Sequence, residues 1–206
     1  MADQRDGSEA RRIAGERGSR PPAVVALVGS PRRRGNTVAL VDAALDELVR
    51  LGARCHKVLL AGKRIAPCLA HDDCAEVGAC HLRDDAAAVL DQVYAADCLI
   101  LATPVYYEDV SAQMKAFIDR NYFPYNHEKR LPARAVGLIA VAAETGLDDA
   151  LGALRRYVRL SARGDVRVME LAALADAAGD VTADAELLEA ARRFARQLAE
   201  LLHGDD

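Results

Sequence analysis

Along most of the chain, short unbroken apolar runs alternate with longer stretches in which apolar residues return every three or four positions. "AVVALVG" (residues 23–29) contains no polar side chain, as expected of a strand buried on both faces. "TVALVDAALDELVRLG" has helical spacing and stops at Gly52. The alternation repeats. Strands are predicted at residues 54–60, 97–104, 134–143 and, more weakly, 165–171, with helices at 84–96, 111–122, 146–160 and about 183–202. Five strands alternating with helices imply right-handed crossovers and a parallel, doubly wound α/β sheet with helices on both faces. Residues 1–20 lack any periodicity and are rich in Arg, Gly, Asp and Glu. They are expected to form a flexible N-terminal arm, with residues 21–206 as one domain.

Composition narrows the class. A chain of 206 residues can bury one sizeable core, and an apolar half with few aromatics suits helices packed on a buried sheet. The net charge of −4, with acids and bases interspersed, gives no basic stripe, so no nucleic-acid partner is expected. No apolar stretch approaches the ~20 residues of a membrane span, and the N-terminus lacks a signal-peptide core, so the reading is cytoplasmic with no membrane partner. Five cysteines, an odd number, argue against a disulfide framework there.

In doubly wound sheets, ligands bind beyond the carboxyl ends of the strands, at the switch point of strand order. That rule selects three segments: "GSPRRRGNT" (29–37), "TPVYYEDVS" (103–111) and "AAETG" (142–146). In the first, Gly29 and Gly35 let backbone approach a ligand, Ser30, Asn36 and Thr37 supply short polar groups, and a helix N-terminus favours an anion. Asn36 and Thr37 are also ordinary helix caps that need no ligand. Three consecutive arginines favour the anion, because clustered guanidinium groups repel without one and pair bidentately with phosphate. The loop lacks the Gly-Lys-Ser/Thr of a Walker loop and the spacing of a dinucleotide fingerprint, which leaves a compact phosphomonoester.

"GSPRRRGNT" followed by "TPVYYEDVSAQMKAFIDR", in this order and on this strand pattern, resembles the NADPH-dependent FMN reductase and iron-sulfur flavoprotein family of the flavodoxin-like superfamily. The resemblance covers most of residues 24–160. It implies a flavodoxin-like sheet of order 2-1-3-4-5. It also implies an FMN phosphate held by Ser30, Arg32, Asn36 and Thr37, with Arg33 or Arg34 assisting. The isoalloxazine ring and ribityl chain would lie against Thr103, Pro104, Val105, Tyr106 and Tyr107, with Glu144 in the third loop. Without the family pattern, Tyr106 and Tyr107 read as half-buried aromatics closing the sheet end. Two departures stand out: Glu108-Asp109 replaces the family's common Gly-Asn, and the usually glycine-rich third loop is here Ala-Ala-Glu-Thr-Gly.

"PCLAHDDCAEVGACHLRDD" (67–85) is too polar and irregular for a simple crossover helix. The family's iron-sulfur branch has four cysteines here, and His71 takes the second position among Cys68, Cys74 and Cys80. Three readings stand: no metal with small buried cysteines, a [4Fe-4S] cluster on Cys68, His71, Cys74 and Cys80, or zinc on the same four. His56, His81, His127 and His203 have no companions in sequence and read as surface or packing residues.

The resemblance implies an FMN-dependent oxidoreductase moving hydride through flavin N5, with NAD(P)H as donor and a flavin, quinone or similar small molecule as acceptor. The alternatives are an iron-sulfur flavoenzyme acting on a specific metabolite, such as a chorismate-derived ring, and an electron-transfer flavoprotein without a small-molecule substrate. No catalytic acid, base or nucleophile is identified. The family also implies a homodimer or homotetramer, with residues 121–131 as a contact region.

Overall fold

A computed structural model describes residues 20–71 and 73–203. All of the expected N-terminal arm except Arg20 lies outside the described residues. In chain order the elements are β1 (Ala23–Val28), α1 (Asn36–Arg50), β2 (Arg54–Leu59), α2 (Cys74–Val77), α3 (Ala86–Tyr94), β3 (Cys98–Tyr106), β4 (Asp109–Val110), α4 (Ala112–Arg120), α5 (Tyr122–Asn126), β5 (Ala135–Ala142), α6 (Leu147–Ser161), β6 (Arg167–Leu174), α7 (Asp180–Ala183) and α8 (Ala185–His203). The parallel strands stand in the order β2-β1-β3-β5-β6, and β4 pairs antiparallel with the end of β3. This is the expected doubly wound sheet, its numbering shifted by one because the sequence reading missed β4.

Burial follows position in the sheet. Every residue of β5 is buried, whereas the edge strands β2 and β6 alternate between exposed and partly covered positions. Successive residues of β1 serve opposite layers. Val24, Ala26 and Val28 pack with Leu40, Val41 and Leu48 of α1 and Phe194 and Leu198 of α8. Val25 and Leu27 pack with Val89 of α3, Met114 and Phe117 of α4, and Leu154 of α6. The start of β1 is fixed by Asp97, which accepts from Ala23 N (2.9 Å) and pairs with Arg20 (3.1 Å).

Element ends departed from the periodicity for identifiable reasons. The helix expected at 84–96 starts at Ala86, since Asp84 Oδ1 accepts from Ala86 N (3.0 Å) and Asp84 is otherwise engaged by Arg120. The helix expected at 111–122 is capped by Ser111, whose Oγ accepts from Met114 N, and stops at Asn121. There Asn121 Nδ2 donates to Phe117 O (2.8 Å), and its Oδ1 accepts from the buried Tyr157 hydroxyl (3.0 Å). The strand expected at 165–171 runs instead to Leu174, held through Ala142↔Leu174. No helix among the described residues is long and apolar enough to cross a membrane.

Candidate functional site

The carboxyl ends of β1, β3 and β5 meet as the switch-point rule requires, and a chain of hydrogen bonds locks the first two together. Gly29 N donates to Ala102 O (2.7 Å). The Ser111 hydroxyl donates to Gly29 O (2.7 Å), and Ser111 N donates to Thr103 Oγ1 (3.0 Å). Thr103 and Ser111 are fully buried, so both act by positioning backbone. Gly29 has no room for a side chain: a Cβ there would stand 2.7 Å from Ser111 Oγ and 2.9 Å from Met114 Cβ. The sequence carries no local signal for this role of Ser111, because its partner Gly29 stands 82 residues away.

Beyond Gly29 the chain folds into a tight turn. Ser30 Oγ accepts from Arg32 N and donates to Arg32 O, both at 3.2 Å, and Gly35 N closes on Arg32 O (3.2 Å). α1 then begins with Gly35 at its cap and no side-chain cap, leaving its first N–H groups directed at the loop. Thr37 is buried in the first turn. Arg32, Arg33 and Arg34 are all exposed, and no ion-pair partner is found for them among the described residues. Arg33 leans over Gly62. An uncapped helix N-terminus, a close-packed glycine loop and three exposed guanidinium groups, unpaired among the described residues, together offer N–H donors and positive charge of the kind that suits an anion.

Asn36 faces elsewhere. Its Nδ2 donates to Ala177 O (2.8 Å), and its Oδ1 accepts from Gly179 N (3.1 Å) and Val181 N (3.4 Å). The side chain therefore ties α1 to the segment before α7 and to the first turn of α7, which turns it away from the anion loop.

The second segment, expected as a loop, is a strand and a hairpin. β3 continues through Thr103, Pro104 and Val105 to Tyr106, and Tyr106 pairs with Asp109 across a two-residue turn. Tyr107 (φ 50°) and Glu108 (φ 59°) both lie in the left-handed region, as a primed hairpin turn requires. β-branched and aromatic residues carry the strand past the sheet, a signal that the Pro104 break obscured. Tyr106 is half exposed and Tyr107 fully so. The third segment supports this hairpin from beneath. Gly146 (φ 82°) lies so close that a Cβ would be 2.6 Å from Glu108 Cα, and Thr145 Oγ1 donates to Glu108 (3.3 Å). Glu144 is exposed on the same rim.

The cysteine segment packs against α4 and α5. Cys80 Sγ accepts from Arg120 Nη2 (3.2 Å), and Cys68 Sγ accepts from Ala70 N (3.4 Å). His71 packs on His81, with ring centroids 4.7 Å apart and the rings tilted by 53°. Burial raises the Cys74 thiol above its usual range, reinforced by Cys80, Asp73 and Cys68. Among the described residues, the donors that converge are Asp73, Cys74 and His81. Of the four residues singled out from the sequence, only Cys74 belongs to that group, and His81 was read as a lone surface residue. An iron-sulfur cluster takes mainly cysteine thiolates. A segment with three cysteines, one of them held by a buried arginine, and a converging carboxylate, thiol and imidazole does not fit a four-thiolate cluster. Burial disfavours the thiolate at the other two cysteines, pushing Cys98 up to about 12 and Cys55 up to about 11.

Among solved structures, RosB with bound 8-demethyl-8-formylriboflavin-5'-phosphate superposes with a TM-score of 0.70 at 16% identity, covering 89% of this chain and 79% of that one. An NAD(P)H:quinone oxidoreductase from Methanothermobacter marburgensis gives 0.65 at 19% identity, covering 89% and 98%. At that identity both show the fold alone. An iron-sulfur flavoprotein of Archaeoglobus fulgidus is 40% identical over 136 residues, 66% of this chain and 61% of that protein. One from Methanocaldococcus jannaschii is 38% identical over 120 residues, 58% of this chain and 62% of that protein. The matched parts thus span about three fifths of these relatives. The family model of NADPH-dependent FMN reductases matches residues 22–179, from the first strand through all three loops, and the chain belongs to that family.

Proposed function

We propose that the chain is an FMN-dependent oxidoreductase that takes electrons from NAD(P)H and delivers them to a flavin, quinone or related small acceptor. The observation that carries this reading is the pairing, at the switch point, of an unpaired anion loop with an exposed aromatic hairpin, in a chain of the FMN reductase family. Bound FMN would supply hydride acceptance at N5 and onward electron transfer.

The chain's own residues would do the holding. Ser30, the backbone N–H groups of Asn36 and Thr37, and the α1 N-terminus would take the phosphate, with Arg32 as its principal counter-charge and Arg33 or Arg34 beside it. Pro104, Val105 and Tyr106 would flank the ring along the extended edge of β3, and Thr103 would fix that edge through Ser111. Tyr107 stands fully outside the fold, placed to cover a stacked donor or acceptor. Glu108 and Glu144 set an acidic rim there, which would disfavour anionic acceptors over neutral quinones. Homodimer or homotetramer assembly through residues 121–131 belongs to the same proposal.

The test is a titration of the purified protein with FMN and with riboflavin, followed by flavin fluorescence, and then by NADPH oxidation with a quinone present. FMN should bind at least about tenfold more tightly than riboflavin, since the phosphate contacts are charge-assisted. Equal affinity would overturn the role of the anion loop, and absence of FMN binding would overturn the flavin reading. A flavin-loaded protein that oxidises neither NADPH nor NADH would overturn the donor.

A further inference from the structure

The segment between Cys68 and Asp85 is left without a task by the flavin reading. Its local geometry is specific. Asp73 precedes α2, and its carbonyl accepts from Glu76 N and Val77 N, both at 3.0 Å. Gly78, in the left-handed region (φ 69°), ends the helix after one turn, and its N–H closes on Cys74 O (3.2 Å). That reversal brings His81 back across the start of the helix, where its Nε2 lies 3.0 Å from Asp73 Oδ1. The ligand atoms of Asp73, Cys74 and His81 all lie within 4.8 Å of one another.

The three donors are graded in depth. Cys74 is 8% exposed, whereas the side chains of Asp73 and His81 are 54% and 39% exposed. A thiol at the floor with a carboxylate and an imidazole at the rim leaves an open outer side for an ion to enter and for water to bind. Zinc accepts sulfur, nitrogen and oxygen ligands at roughly 2.0–2.3 Å, which sets tetrahedral ligand atoms about 3.5 Å apart. Closing from the observed spread needs movements of about 1 Å, within reach of the two exposed side chains. The mixture of one soft and two borderline or hard donors suits zinc or a similar divalent ion better than an all-thiolate cluster.

We propose that Asp73, Cys74 and His81 form a mononuclear site for a zinc-type divalent transition ion, completed by a solvent ligand, and that this chain carries it in place of a four-thiolate cluster. Cys68, His71 and Cys80 stand outside the ligand set. His71 walls the site by packing on His81, and Cys80 is held by the Arg120 guanidinium. The ion would pin the return of the chain after α2 and so order the segment that runs into α3.

The test uses the full chain, stripped of metal by a chelator under reducing anaerobic conditions and titrated with Co(II). The expected result is one cobalt per chain with a thiolate-to-cobalt charge-transfer absorption, displaced by Zn(II). Cys74→Ser should abolish that absorption, and His81→Gln should weaken binding at least about tenfold, with far-ultraviolet circular dichroism unchanged. Cys68→Ser and Cys80→Ser should bind cobalt as the parent does. Absence of the charge-transfer absorption in the parent overturns the site. So does equal loss in the Cys68 and Cys80 variants, or anaerobic reconstitution that leaves several irons and matching sulfide per chain dependent on those two cysteines. None of these readouts depends on flavin.

Discussion

Replacing Arg120 by Met tests how the cysteine segment is held to the core. The side chains of Arg120 and Asp84 are 3% and 6% exposed and pair at 2.5 Å. Arg120 also donates to Ala66 O (3.1 Å) and Cys80 Sγ (3.2 Å), and Asp84 accepts from Ala66 N (2.9 Å) and Ala86 N (3.0 Å). Each charge thus makes three hydrogen bonds, and removing one partner strands the other in the interior. The expected loss for Arg120→Met is about 3–5 kcal/mol at neutral pH. Burial works to raise the Asp84 carboxyl, but its bonds to Arg120 and to the Ala66 and Ala86 N–H groups prevail and hold it below the usual carboxylate range. A carboxyl depressed on folding contributes stability that is present above its unfolded value, about 3.9, and is lost as pH falls through the folded value. The gap between parent and variant, measured by urea unfolding, should therefore be largest at neutral pH and shrink in strong acid. The double variant Arg120→Met, Asp84→Asn should recover part of the loss, because no buried charge remains, with a coupling of at least about 1 kcal/mol. A loss below about 1 kcal/mol for Arg120→Met, or a gap that does not narrow on acidification, refutes the reasoning.

Glu108→Gly relieves one of two non-glycine residues in the left-handed region at the hairpin tip and should raise stability by about 0.5–1 kcal/mol, net of added freedom in the unfolded chain. Thermal unfolding should show a Tm increase of a few degrees, about 2–4 °C per kcal/mol at this size. The triple substitution Arg32→Ala, Arg33→Ala, Arg34→Ala should weaken FMN at least about tenfold and flatten its salt dependence, while riboflavin affinity and the unfolding midpoint stay unchanged. Asn36→Ala removes three hydrogen bonds to the segment before α7 and to the first turn of α7, and should cost about 1–2 kcal/mol in urea unfolding. FMN affinity should change less than threefold, about 0.6 kcal/mol, because the backbone N–H at residue 36 is retained.

What was legible in the sequence was whatever depends on a local period. The apolar runs of β1 and β5, and of β3 as far as Ala102, belong to central strands whose two faces are both covered, and no polar residue interrupts them. β6 alternates along an edge and was misplaced by three residues at its end for the same reason. The hairpin at Tyr107 and Glu108 was unreadable, since neither residue carries the glycine or asparagine that marks a primed turn. Gly146 and the β5 loop hold that turn instead, and such support comes only with the fold. His81 shows the same limit at the cysteine segment. The motif spacing drew attention to His71, but the left-handed turn at Gly78 brings the later histidine against Asp73 and Cys74. A Gly between a Cys and a His, in a helix too short to continue, is the signal that could have found it.

The proposed phosphate site would draw as much on the residues beneath the loop as on those that meet the ligand. Its charge lies in the arginines, which are exposed and have no ion-pair partner among the described residues, so each is free to adopt many rotamers and would contribute charge rather than shape. Shape comes from the buried layer beneath. Thr103 fixes Ser111, Ser111 fixes Gly29 and caps α4, and Gly29 fixes the entry of the chain into the turn that ends at the uncapped start of α1. Asn36 fastens the other end of that start to the chain before α7. Directed N–H groups held this way need no ordering when an anion arrives, so the ordering cost of binding falls mainly on the arginines. The phosphate position should then be set by the loop, and affinity by the guanidinium groups. The arginine and Asn36 substitutions separate those two contributions.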